Sequence, residues 1–168
     1  MMEYNVCVED NGTTEWYYKG QLHREDGPAA DYANGTKSWY KEGKLHREDG
    51  PAIESDDGYK AWYKDGKRHR VDGPAMEYPN GDKEWCKEGK LHREGGPAVE
   101  SPDGYKAWYK GGKRHREDGP AVEFINGDKK WFLEGKEHSE EKFLKRMGKS
   151  LCNKVVEIER VKYRLVRV

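Results

Sequence analysis

A period of 23 residues governs this chain. Every Trp (Trp16, Trp39, Trp62, Trp85, Trp108, Trp131) and every His (His23, His46, His69, His92, His115, His138) recurs at that interval. Two glycine columns keep the same register, Gly12 to Gly127 and Gly20 to Gly135, and Gly-Pro-Ala stands five times between Gly27 and Ala121 without an insertion. Such regularity restricts the chain to a repeat architecture, in which one short supersecondary unit buries its apolar face only by stacking on its neighbours.

The unit reads W-Y-K-x-G-K-L/R-H-R-E-D-G-P-A-x-E-x-x-x-G-x-K-x. Asn34-Gly35, Asp57-Gly58, Asn80-Gly81 and Asn126-Gly127 tolerate the positive φ of a tight hairpin turn, each with a short stretch on either side. Glu42-Gly43-Lys44 and its equivalents mark a second chain reversal. Asp49-Gly50-Pro51 closes the unit, because Pro cannot donate to a ladder hydrogen bond. Each unit is therefore about one β-hairpin with connecting turns. The predicted fold is an all-β repeat array of about six stacked 23-residue hairpins forming an elongated sheet over residues 1–136. Each hairpin advances it by about 9.6 Å, two strand spacings. Gly58-Tyr59-Lys60-Ala61-Trp62-Tyr63-Lys64 recurs at Gly104–Lys110, 46 residues on, and Leu45, Arg68, Leu91 and Arg114 alternate before His, so the hairpins also come in pairs.

Composition limits how such an array can be held together. Of 168 residues only 33% are hydrophobic and 38% are charged, whereas 12% are aromatic. A few large rings must serve in place of a thick core. Strand alternation predicts a core of the six Trp with Ile53, Met76, Val99 and Val122, with Glu54, Glu77, Glu100 and Glu123 on the opposite face. In the column next to Trp, the candidate partner-binding residues are Tyr17, Tyr40, Tyr63, Tyr109 and Phe132, since Tyr offers contact area with a polar handle. The same column suits a structural ladder of cross-strand aromatic pairs.

Neither His nor Cys points to catalysis or to a metal. Imidazoles repeated about 9.6 Å apart cannot share one zinc ion. A catalytic site needs unlike groups converging on one place. The His-Arg-Glu-Asp segment is instead expected to build its loop, through hydrogen bonds and a local pair such as Arg47 with Asp49; in HREGGPA, Gly95 removes that Asp. Cys7, Cys86 and Cys152 are odd in number and widely spaced, as expected of free thiols in a reducing compartment. No catalytic residue, metal or cofactor is predicted. No run of 18 apolar residues exists, and MMEYNVCVED has neither the basic nor the apolar region of a signal peptide. The expectation is a soluble, cytoplasmic protein.

The 32 Lys and Arg balance 32 Asp and Glu, which excludes a simple polycation for nucleic acid. Residues 136–168 nevertheless hold ten basic and five acidic residues, so a net-acidic array precedes a basic tail. Ser139 to Met147 reads as a short amphipathic helix: a capping Ser, acidic residues in the first turn, basic ones in the last, and Phe143, Leu144 and Met147 at helical spacing. Lys154 to Val168 alternates around Glu159-Arg160 as a strand pair, so 137–168 is expected to cap the array. Lys142, Lys145, Arg146, Lys149 and Lys154 also form a candidate basic docking element for an acidic partner or an anionic membrane.

The Trp-Tyr-Lys-x-Gly-Lys-x-His unit with its later Asn/Asp-Gly turn resembles the MORN repeat family over residues 3–136, about four fifths of the chain. It is most similar to the divergent arrays of YwqK-like bacterial proteins and of bacteriophage or large-virus proteins. It departs from the standard unit in carrying Arg-Glu-Asp-Gly-Pro-Ala in place of a Gly-x-Gly step. The resemblance implies stacked β-hairpins and a non-enzymatic scaffold for contact with another protein, such as a host or cellular factor. In a viral setting it implies an inhibitor of a host defence component. The alternative expectation is a peripheral anionic-membrane or phospholipid-binding module working through the basic segment. Open sheet ends add self-association as a third expectation.

Overall fold

The computed structural model describes residues 3–148 and the strands Val155–Ile158 and Val161–Arg164. Thirteen strands follow one another along a single antiparallel path, and a fourteenth, Gln21–Leu22, pairs off it with Thr14–Tyr18. Chain order and strand order coincide, so this is a meander of successive hairpins. In the third unit, for example, Ile53–Glu54 pairs with Lys60–Ala61, which pairs in turn with Met76–Glu77 of the next. The expected all-β array of stacked hairpins is the observed fold.

Each unit contains two hairpins. Besides the pair of strands in the main sheet, the chain makes a second small ladder: Tyr40–Lys41 with Lys44–Leu45, Tyr63–Lys64 with Lys67–Arg68, Cys86–Lys87 with Lys90–Leu91, and Tyr109–Lys110 with Lys113–Arg114. The two turns divide the work differently from the sequence expectation. Glu42 and Gly43 both have positive φ (51° and 71°), the type I′ geometry that suits a two-residue hairpin. At Asn34-Gly35 only the Gly is left-handed (φ 82°). There the Gly35 amide donates to the Tyr32 carbonyl, the Tyr32 amide donates to the Thr36 carbonyl, and the Asn34 side chain accepts from the Thr36 amide. That is a type I turn closed by a glycine bulge.

Between the two ladders the chain turns a corner, and the core lies there. Ala29, Ala52, Ala75, Ala98 and Ala121 of the Gly-Pro-Ala triplets are wholly buried, as are Ala30, Ala61 and Ala107 in the main strands. The amide of Trp62 donates to the Ala75 carbonyl at 2.8 Å, and the amide of Ala75 donates to the Glu84 carbonyl at 2.7 Å, so backbones close on these positions from both sides. Of the expected core, Met76 and Val122 are buried, but Ile53 and Val99 are half-buried and so are all six Trp. The correction has a steric cause. A methyl group fills the corner; an indole cannot enter it, and projects to the side opposite Ala61 and Tyr63.

The two ends of the array differ. At the far end Lys136–His138 pairs with Lys129–Leu133, and the helix Glu140–Arg146 packs on both with Phe143 buried. Ser139 caps the helix, its hydroxyl accepting from the Lys142 amide. At the near end Asn5–Val8 pairs, among the described residues, only with Thr14–Tyr18. Val155–Ile158 and Val161–Arg164 pair with each other, while the Glu159-Arg160 expected between them lies outside the described residues.

Candidate functional site

Along the side carrying the indoles, one arginine per unit organises the surface. Arg24, Arg47, Arg70, Arg93 and Arg116 each set the guanidinium over the Trp eight residues earlier, 3.7–4.3 Å from a ring centroid. Nη1 of each donates to the carbonyl of the Gly-Pro-Ala proline at 3.0–3.4 Å. In Arg47, Arg70, Arg93 and Arg116 the same nitrogen also binds Glu54, Glu77, Glu100 or Glu123 at 2.7–3.2 Å. Nε binds the Asp two residues on, at 2.7–3.2 Å, in Arg24, Arg47, Arg70 and Arg116. For Arg93 that place is taken by Gly95. The contact with Arg24 holds the Asp26 carboxyl below the usual carboxylate range. The glutamate column, read from sequence as an opposite face, thus ends on the arginines and locks the loop.

The histidines join one unit to the next. Nδ1 of His23, His69, His92 and His115 accepts the backbone amide of the residue 19 positions on, at 3.1–3.3 Å. An accepting Nδ1 fixes the proton on Nε2. His46 Nδ1 meets both the amide and the carboxylate of Asp65, the one Asp at this turn. Every array imidazole from His23 to His115 is therefore tied to a neighbouring turn. Among the described residues no three His, Cys, Asp or Glu side chains converge to hold a metal ion.

Between consecutive arginine loops run four equivalent furrows of about 420–630 Å³ each. The first lies between His23–Gly27 and His46–Asp49 with Trp39, Tyr40 and Lys41 at its base; the others follow at the repeat interval around Trp62, Trp85 and Trp108. Exposed Glu25, Glu48, Glu94 and Glu117 stand on the rims. The central position of that column is Val71, which is 90% exposed and borders two adjoining furrows. With Gly95 in the very next loop, the middle of the row has lost two carboxylates and gained an apolar knob.

The Tyr column divides. Tyr40, Tyr63 and Tyr109 contribute to furrow lining, while Tyr17 does not, its hydroxyl donating to Glu15 at 2.5 Å, which pushes its pKa up to about 12. Tyr109 accepts from Arg114 Nε at 3.2 Å. Phe132 is buried against Ala107, Ala121 and Val122, and Cys86 of the same column is buried too. Lys142, Lys145 and Arg146 are exposed on the helix; Lys149 and Lys154 lie outside the described residues. Sequence reasoning missed the arginine–tryptophan furrows. The available signals were the constant eight-residue offset from Trp to Arg and a valine in a glutamate column.

Among the described residues no helix is long and apolar enough to cross a membrane. No protein-family model matches the chain, and no significant match is found among curated proteins.

Proposed function

We propose that the array is a non-enzymatic protein–protein interaction scaffold that holds an extended segment of another protein across the furrow row. The observation that carries this reading is the repetition of one furrow four times, interrupted at its centre by an exposed valine. Repeated half-exposed indoles and charged rims suit distributed contact, and an apolar knob in mid-row suits an anchor surrounded by weaker contacts. The sequence resemblance to divergent MORN-like arrays supports the same class. It suggests a host or cellular factor in the cytoplasm as partner, and a defence component if the setting is viral.

Val71→Glu tests the anchor, because it restores the residue that neighbouring units carry. Its fold and denaturation midpoint should match the parent, while recovery of the partner in an affinity capture should fall. Truncation after Lys136 should leave recovery unchanged. Loss of recovery on truncation, with Val71→Glu unaffected, sinks the furrow reading. The alternative rests on Lys142, Lys145 and Arg146, which are exposed together on one helix. Salt-sensitive binding to anionic vesicles, abolished by the same truncation, would favour it.

A further inference from the structure

The first strand, Asn5–Val8, forms the near edge of the main sheet, and all four of its residues are exposed. Its pairing with Thr14–Tyr18 fixes which backbone groups look outward. The Glu9 amide donates to the Thr13 carbonyl, and the register runs Cys7 opposite Glu15 and Asn5 opposite Tyr17. In an antiparallel ladder alternate residues bond to a given neighbour. Asn5, Cys7 and Glu9 therefore face the sheet, and the N–H and C=O groups of Val6 and Val8 point away from it. These two valines are 52% and 68% exposed, and among the described residues no strand pairs with their outer side. The strand Asn-Val-Cys-Val holds no Lys, Pro or bulge, the usual guards of an open edge.

We propose that this edge pairs antiparallel with the same edge of a second copy of the chain, Val6 opposite Val8 and Cys7 opposite Cys7, joining two arrays into one continuous sheet. The register is self-complementary: Val6 and Val8 of each copy exchange hydrogen bonds with Val8 and Val6 of the other. It sets Glu9 opposite Asn5, Asp10 opposite Tyr4 and Glu3 opposite Asn11, so no carboxylate meets another. Sliding to Val6 opposite Val6 would place Glu3 against Glu9. Sliding to Val8 opposite Val8 would place Asp10 against Val6. The far end of the array is closed by Lys136–His138, with a charged strand sequence, and by the helix that packs on it. Among the described residues this is the one end of the main sheet on which no helix packs, and pairing through it alone makes an isologous contact that stops at two copies.

The test is sedimentation velocity of the full chain under reducing conditions over a wide concentration range, with Cys152→Ser as the background. The expected result is a mass rising to that of a dimer, and at least about tenfold weaker association for Val8→Lys with unchanged circular dichroism. Cys7 in the unsubstituted strand gives a second readout. A non-hydrogen-bonded antiparallel pair brings Cα atoms to about 4.5 Å, within disulfide range. Diamide, taking two electrons and two protons from two thiols, should therefore cross-link the dimer through Cys7. A chain that stays monomeric throughout overturns the proposal. So does a dimer indifferent to Val8→Lys, or one that Cys7 fails to cross-link.

Discussion

The guanidinium of Arg70 binds Asp72 through Nε, binds Glu77 and the Pro74 carbonyl through Nη1, and covers Trp62 at 3.9 Å. A lysine carries equal charge but has neither the planar surface to stack nor donors in two directions. Arg70→Lys should therefore destabilise the array by about 1–3 kcal/mol, read as a shift in urea midpoint. A second consequence at this scale concerns alkali. Burial, followed by neighbouring Tyr32, pushes Tyr40 up to about 12; burial, followed by Glu84, does the same to Tyr78; burial pushes the Cys86 thiol up to about 11. Each group is neutral when protonated, so the unfolded chain loses its protons first as pH rises. The stability these groups contribute is whole below pH 9, the ordinary thiol value, and is lost as pH climbs through about 11 and then about 12. Urea midpoints measured from pH 8 upward should fall across that window, with the phenolate absorbance of Tyr40 and Tyr78 appearing late.

Within one repeat, the tightest element is the corner between the main strand and the small ladder. Ala98 is wholly buried there, its carbonyl accepting the Trp85 amide and its own amide donating to Ala107. Ala98→Leu should cost about 1–3 kcal/mol by overpacking, whereas at exposed Lys87 the same side chain should change the midpoint little. At the far end Phe143→Ala should cost about 3–5 kcal/mol and speed amide exchange in Lys129–Leu133 first, since Phe143 is 1% exposed and its helix packs on that strand. These elements were legible to different depths. The period, both reversals, the helix cap at Ser139 and the strand pair around Glu159-Arg160 could be read directly, because turn and cap residues act through local sterics and hydrogen bonds. What the corner would accept could not. Alternation separates Trp62 from Ala61 and Tyr63, but it does not say which side closes, and hydrophobicity favours the indole over the methyl group that fits. The furrows were hidden for a related reason: they exist only between units, where Arg47 of one loop faces Trp62 and Arg70 of the next.

At the scale of the whole chain, the 46-residue superperiod acquires a packing cause. Where the third hairpin tip meets the fourth, and the fifth meets the sixth, rings meet across the junction: Tyr59 with Tyr78 at 5.5 Å and Tyr105 with Phe124 at 5.8 Å. Where the second tip meets the third the contact is polar, the Thr36 hydroxyl donating to Ser55 at 3.2 Å, and the first tip meets the second through Thr13 Oγ1, which accepts from the Ala33 amide at 3.3 Å. The array thus holds two kinds of joint, polar and aromatic. Excising residues 47–92 would bring Thr36 to Ser101, a joint of the native polar kind, and should leave one cooperative unfolding transition. Excising residues 47–69 would bring Thr36 to Tyr78. Calorimetry of that chain should show two transitions, with the break at the new joint. Gaining or losing two repeats keeps each aromatic pair intact where a single repeat splits one, so lengths among the descendants of such a gene should be quantised in pairs.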